Sequence, residues 1–562
     1  ARSAVCMAAH ARATGAGAER RAGDPAGPPR MSVAEAAEEA EVGASADLRE
    51  RAAARVRQQL TASVNAPHNP RGVSVAGSVG ATVRRATALL EVGLIERECE
   101  ARLLLLALVG GEHLLLLGPP GTAKSELCRR LSTIARLGYF ERTLTRFSTP
   151  EELFGPLSLA ALERDEFRRA TAGYAPTAEL LFLDEIFKSN SAILNTLLTL
   201  LNERLFDDGA KRERVPLLSA VAASNEGPES DDLSALYDRF LLRRLVAPVS
   251  DDGVLELLLG GEAAEGGSVD AALPDLREAL EEVRAAAPSV RLPRHVALLL
   301  RDARAFVRET GADGLGGGYV SDRRLRRSAE LLKACAAAHG RDTVSVVDVA
   351  AVLPHVLWDT AEEAAALAEW VEDNALPDGG AEQLRFLLES VRSRAAAEAA
   401  DESAGPAAEA AGGGGGLAED ALALAAATLA AAAEMRQHVG AVERSAEHLF
   451  LPAAKAAVLR QRLLPRARES AEELEQLAAE AALVELALAD GLDEEGWAAL
   501  QAEDDLDGGG GGEAGTAVEA PSFDFDEAEL SWGRKEAKAK LGPEEFRAWR
   551  KAAKAAAKRG AT

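Results

Sequence analysis

The sequence predicts an α/β protein: a parallel sheet with helices on both faces around a phosphate-binding loop, in an otherwise mostly helical chain with a mostly α-helical C-terminal region. Three observations predict it. Leu114 to Leu117 is an apolar run with the length of a buried strand. Gly118-Pro119-Pro120-Gly121-Thr122-Ala123-Lys124-Ser125 follows it and leads into a helical stretch, Glu126 to Leu131. Leu180-Leu181-Phe182-Leu183 is a second buried-strand run, closed by the adjacent carboxylates of Asp184 and Glu185. Aromatic residues make up only 4% of the 562 while alanine and leucine abound, which favours helices over an aromatic-rich β architecture.

The glycine loop between strand and helix is a phosphate cradle. Successive N–H groups converge on anionic oxygens, and the helix start adds its positive dipole end. In this pattern Lys124 reaches the β- and γ-phosphates of a nucleotide and the Ser125 hydroxyl sits on Mg²⁺. Ala123 departs from the pattern, which has glycine there. A parallel strand opens its C-terminal end to the ligand crevice, so Asp184 and Glu185 are expected beside the phosphates, 60 residues after the lysine. Asp184 would join the Mg²⁺ shell and Glu185 would polarise an attacking water.

From the N-terminus, residues 1 to 31 carry Arg2, Arg12, Arg20, Arg21 and Arg30 against Glu19 and Asp24, a balance of +3 in a chain of net charge −26. This fits the tail of an organelle transit peptide, with Ala4-Val5-Cys6-Met7-Ala8 resembling a plastid processing site, or a disordered extension. The expectation is the plastid stroma, with the cytoplasm as alternative. Residues 61 to 80 read as a linker on Pro67, Pro70, Gly72, Gly77 and Gly80. Apolar spacing turns helical from Ala81 and again over Leu103 to Val109. Beyond the cradle helix, Thr143 to Phe147 reads as a second strand. The Gly and Pro positions between Phe147 and Pro176 suggest a helix interrupted by a projecting loop or hairpin.

Ile193, Leu194, Leu197, Leu198 and Leu201 form one helical face. Leu217 to Ser224 reads as a further strand ended by Asn225, which could sense the γ-phosphate or orient water, or serve as a cap or turn residue. Arg239 closes a short helix, either as a surface cation or as a guanidinium that neutralises phosphoryl charge on a neighbouring subunit.

The charge of −26 repels phosphate backbones and argues against nucleic acid as a partner of the whole surface. Cys6, Cys99, Cys128 and Cys335 are scattered, with no CxxC or Cys/His cluster, which argues against disulfides or a zinc site. The apolar run Ala421 to Ala433 is short against the roughly 20 residues a bilayer requires, so no membrane span is expected.

Taken in order, these blocks resemble AAA+ ATPases, and most closely the MoxR branch and its RavA-like members. The resemblance rests on Gly118 through Ser125, on Phe147-Ser148-Thr149-Pro150-Glu151-Glu152 with Phe154-Gly155-Pro156-Leu157-Ser158, and on Phe182-Leu183-Asp184-Glu185-Ile186-Phe187-Lys188. Ile193 to Leu198, Ala223-Ser224-Asn225-Glu226 and Ala235-Leu236-Tyr237-Asp238-Arg239 add to it, and it runs from about Gly93 to Trp358.

It implies a nucleotide-binding domain over 81–250 and a helical lid over 251–358, assembled as a homo-oligomeric ring, usually a hexamer, with ATP and Mg²⁺ between neighbours. It implies that Arg239 is an arginine finger acting in trans, Asn225 a first sensor, and Arg323, with Arg324 as alternative, a second sensor. Without the resemblance, Arg323, Arg324, Arg326 and Arg327 read as a solvated helix face.

The activity implied is ATP hydrolysis that drives chaperone-like remodelling or maturation of a protein client, including metal-cofactor insertion, with a von Willebrand factor A (vWA) type partner. A chelatase-like motor subunit and a nucleotide-gated scaffold with little turnover are the alternatives. Residues 1–80 form the extension. Residues 359–505 read as helical with a break at Gly412 to Gly416, and 506–562 as an acidic linker and a basic tail.

Overall fold

The computed structural model describes residues 47–62, 77–209, 211–227, 236–259, 272–310, 319–400 and 414–491, with the single positions 233 and 497. The expectations for 1–46, for the linker at 63–76, for the glycines at 412–413 and for the segment after 506 lie outside the described residues. By its contacts the chain divides into residues 1–494 and 495–562, and every described strand lies in the first unit.

Helices α1 (47–62), α2 (Gly77–Glu91) and α3 (Glu98–Gly110) lead to β1 (Leu114–Leu117), followed by α4 (Lys124–Ala135) and β2 (Tyr139–Thr143). Two short helices, α5 (Pro150–Phe154) and α6 (Leu159–Leu162), precede β3 (Leu180–Asp184) and α7 (Ser191–Glu203). The hairpin strands β4 (Leu205–Asp208) and β5 (Lys211–Arg214) come next, then β6 (Ser219–Ser224) and β7 (Leu242–Leu245). The sheet order is β2-β3-β6-β1-β7, all parallel, with β4 and β5 as a separate antiparallel pair.

Side chains alternate across the sheet with the strand period of two. Leu114, Leu116, Leu180, Phe182, Val221 and Ala223 join one core, shared with α3 and α4, while Leu115, Leu181, Leu183, Ala220 and Ala222 join the other, under α7. Both faces are therefore covered, as parallel sheets require.

Helices α8 (Asp251–Leu259), α9 (Asp275–Ala286), α10 (Arg294–Thr310), α11 (Asp322–Ala338) and α12 (Val346–Val352) follow the sheet. Then come α13 (Ala361–Asn374), α14 (Ala381–Ala400), α15 (Gly414–Glu443) and α16 (Ala453–Asp490). Two of these starts are fixed by capping boxes, Ser345 with Asp348 on α12 and Thr360 with Glu363 on α13. Phe306 of α10 stacks on Trp370 of α13 at 5.4 Å between ring centroids. Arg102 of α3 donates to the carbonyls of His448, Leu449 and Leu451, tying the core to the turn between α15 and α16.

Several expectations are corrected. The second strand is Tyr139–Thr143, four residues before the predicted one. It is the half-exposed edge strand, so no continuous apolar run marks it, and the chain turns after Leu144 where Thr145 N–H donates to Ser148 Oγ at 3.0 Å. Gly77 and Gly80 lie in α2, not in a linker. A Cβ at Gly80 would stand 3.4 Å from the Ala338 carbonyl, so the glycine permits close approach of α2 to α11. Gly414 to Gly416 begin α15 and do not break it.

The apolar run around Ala421 also extends further than expected. Gly416–Glu447 is long and apolar enough, by length and composition, to cross a membrane. Leu417, Ala421, Leu424, Thr428, Ala432 and Met435 are buried along one helical stripe, and α15 packs along α16 as one arm of a hairpin, with about a third of its most apolar stretch buried.

Candidate active site

Because β1, β3 and β6 are parallel and adjacent, their C-terminal ends bring the loop after Leu117, Asp184 and Asn225 to one edge of the sheet. Gly118 is required there, since a Cβ would meet the Val246 carbonyl oxygen at 2.2 Å. Gly121 turns at φ 79° with open space around it, and Ala123 holds the left-handed region at φ 63° as the residue before α4. Pro119 accepts from Thr122 Oγ1 at 3.0 Å, and Pro120 completes the turn between them.

Lys124 is 8% exposed and donates to the carbonyls of Gly118 at 2.6 Å and Pro119 at 2.8 Å. Burial lowers its pKa, while the charges of Asp184 and Glu185 oppose that shift. Burial raises the pKa of Asp184, whose Oδ1 accepts from Glu185 N–H at 3.1 Å. A half-buried carboxylate that burial pushes toward protonation, facing a lysine and one residue from a second carboxylate, fits a hard divalent cation with oxygen ligands. Ser125 is the second residue of α4 and follows Lys124 directly.

Glu185 is also in the left-handed region, at φ 54°, so its side chain is re-aimed where the strand ends. Asn225 Nδ2 donates to Glu185 Oε1 at 3.0 Å, and Lys188 Nζ lies 3.2 Å from Oε2. Asn225 thus orients the Glu185 carboxylate.

Arg97 was not singled out from the sequence. It is 6% exposed and donates to the carbonyls of Thr122 at 3.1 Å and Ala247 at 2.9 Å, buttressing the loop from behind. A single arginine in a helical lead-in carries no spacing that would reveal this.

Arg239 and Arg323 are not brought to this edge. Leu114 of β1 pairs with Leu242 of β7, so Arg239, three residues before β7, lies where the strands begin. Roughly 13 Å of strand separates that level from Gly118, before the extra residues are counted. Arg323 Nη2 donates to Asn202 Oδ1 at 2.8 Å, at the far end of α7, and Ser321 Oγ bonds Asp238 Oδ1 at 3.1 Å. Asp238, next to Arg239 in the chain, thus ties the start of α11, where Arg323 lies, to the Arg239 segment, and burial lowers the pKa of Arg323, with the charge of Arg239 adding to it. Arg239 pairs with Asp238 at 3.1 Å, and its Nε is buried without a partner among the described residues.

Arg324 is differently placed: 3% exposed, it donates to Asp359 Oδ1 at 2.9 Å and to the carbonyls of Val356 and Trp358. Arg243 of β7, fully buried, binds the same Asp359 and Trp358. Arg324 is therefore committed to joining α11 and the segment before α13 to the sheet.

A family profile described as the MoxR domain in the MoxR-vWA-beta-propeller ternary systems matches residues 81–284, and one described as an AAA lid domain matches 295–371. The uncharacterized protein MJ0079 of Methanocaldococcus jannaschii is 37% identical over 280 residues, 50% of this chain and 70% of that protein. Its fellow MJ0812 is 36% identical over 270 residues, 48% of this chain and 69% of that protein. Protein MoxR of Paracoccus denitrificans is 28% identical over 303 residues, 49% of this chain and 87% of that protein.

Proposed function

The chain belongs to the MoxR-type AAA+ ATPases, and from that premise we propose that it hydrolyses Mg²⁺-bound ATP at a site shared by two copies of itself. The observation that carries this reading is the separation just described: Lys124, Asp184, Glu185 and Asn225 at one sheet edge, Arg239 and Arg323 together at the other.

On this reading the backbone of Gly118 to Ala123 and the Lys124 ammonium bind the phosphates. Glu185, aimed by Asn225, takes the proton of the attacking water. Ser125 and Asp184 would hold Mg²⁺, which when bound would offset the negative charge that builds on the transferring phosphoryl group. Arg239 and Arg323 of one copy meet the nucleotide of the next, where an arginine finger contributes about 10³–10⁵ in rate. A closed ring of copies, a hexamer by family habit, gives every site such a neighbour.

Replacing Glu185 with Gln should leave ATP binding intact and lower hydrolysis by about 10²–10⁴. Undiminished turnover by that variant would remove Glu185 from the role of base.

The client reading follows from the matched domain's description, which pairs it with vWA and β-propeller chains. The proposed work is remodelling or maturation of a protein client alongside a vWA partner. The Glu185→Gln protein held in ATP should retain a vWA-domain protein on affinity capture, and recovery of none would count against that partner. The arginine-bearing residues 1–31 support a plastid location, which an organelle import assay would test.

A further inference from the structure

The cysteines and histidines look scattered along the chain, but the fold gathers two groups with metal-ligand chemistry away from the nucleotide edge. The first, Cys335, His339, Asp348 and His448, is fully accounted for by its own bonds. Arg341 grips Asp348 at 2.6 and 2.7 Å, His448 Nε2 lies 3.1 Å from Asp348 Oδ1, and Phe450 N–H donates to His448 Nδ1. His339 is held by the Cys335 carbonyl on one nitrogen and by Leu449 N–H on the other. With an arginine already neutralising the carboxylate and every ring nitrogen partnered, this group is a polar latch between α11, α12 and the turn before α16.

The second group differs. Glu434 and His438 stand one turn apart on α15, the i, i+4 spacing that puts both on one helix face, and His295 of α10 meets them there. Ligand atoms from the three lie within 4.8 Å of one another. Glu434 Oε1 is 3.3 Å from His295 Nδ1, and the two imidazoles meet edge to face at 4.9 Å between centroids. His438 is 6% exposed, and the Nε2 atoms of both His295 and His438 are buried without a hydrogen-bond partner among the described residues.

Two orphaned imidazole nitrogens side by side are unusual, because a buried polar atom loses its water without gaining a partner. A bound cation that accepts nitrogen lone pairs would satisfy both at once. We propose that His295, Glu434 and His438 form a zinc-class metal site that staples lid helix α10 to the C-terminal hairpin helix α15.

The donor set points to that class of ion. Two imidazoles and one carboxylate suit Zn²⁺ and its first-row neighbours, whereas Mg²⁺ and Ca²⁺ take oxygen ligands. The Glu434 side chain is 53% exposed, which gives an ion an entry path and leaves a fourth position for water.

The test uses the purified full chain, stripped of metal and without nucleotide, titrated with Zn²⁺ against a chromogenic chelator. One equivalent should bind, with a rise in melting temperature, and Co²⁺ in its place should give the visible absorption of a four-coordinate site. Glu434→Gln, a half-exposed change that leaves packing intact, and His438→Gln should each weaken binding at least about 10–100-fold, the loss that even outer-shell changes produce. Both should abolish the thermal shift, while Cys335→Ser should keep it. Absence of stoichiometric binding by the unaltered chain would overturn the proposal. So would full affinity in both Glu434→Gln and His438→Gln, or loss in Cys335→Ser, which would put the ion in the other group.

Discussion

At φ 63° Ala123 holds a conformation that its Cβ resists by about 1–2 kcal/mol, and it does so at the end of the phosphate loop, directly before α4. Glycine there would relieve that strain and lose part of the gain to a freer unfolded chain, so Ala123→Gly should stabilise by roughly 0.5–1 kcal/mol. A melting temperature that fell on this change would show that the Ala123 methyl makes packing contacts worth more than the strain. Asn225 gives a second prediction: its amide is the donor that orients Glu185, so Asn225→Ala should lower kcat while leaving nucleotide affinity nearly unchanged. Parallel loss of binding would place it on the nucleotide instead. The residues of this edge were legible because each follows an apolar strand within a local motif. Arg97 and the choice between Arg323 and Arg324 were not, because burial and partners decide them, and four neighbouring arginines look alike in a sequence.

Among the elements, β7 and the β4–β5 hairpin escaped the sequence for different reasons. Leu242-Arg243-Arg244-Leu245 breaks the apolar pattern of a buried strand, yet Arg243 is fully buried against Asp359 and Arg244 pairs with Glu100 at 2.7 Å. The hairpin did carry a signal, Asp208-Gly209, a turn pair between strands, and Gly209 turns at φ 64° with the Phe167 carbonyl pressed against it. It braces the predicted projecting segment, whose Arg169 N–H donates to Asp208 Oδ1 at 2.7 Å. The Arg243–Asp359–Arg324 cluster joins sheet and lid. Burial lowers the pKa of Arg243 to about 10. Asp359→Asn leaves two buried guanidiniums without their shared carboxylate, a loss of about 3 kcal/mol. Denaturation of the variant should show it, and unchanged stability would mean that the backbone carbonyls alone hold both arginines.

Across the whole molecule, His113, His355, His438 and His448 are 3 to 7% exposed, and burial lowers the pKa of each, that of His438 to about 4. The unfolded chain protonates them near 6.5, so below that pH it binds more protons than the folded chain. Stability is full above about pH 6.5 and falls toward the folded values, by up to about 1.4 kcal/mol per pH unit for each group. The metal-free protein should melt at a clearly lower temperature at pH 5 than at pH 7, and equal values would show that these rings take up protons while folded. The cysteines and histidines look scattered in the sequence, and the fold joins residues more than a hundred positions apart into two groups, of which only the i, i+4 pairs Cys335/His339 and Glu434/His438 are visible locally.

On the proposed reading the catalytic unit is shared between copies, since within one chain Arg239 lies where the strands begin and Lys124 follows the C-terminal end of β1. Mixing two inactive variants, Lys124→Ala and Arg239→Ala, tests that most directly. In randomly mixed rings about a quarter of the interfaces pair an intact Lys124 with an intact Arg239 from the neighbour, so about a quarter of the ATPase activity should return. A mixture that stays as inactive as its two components would contradict the shared site.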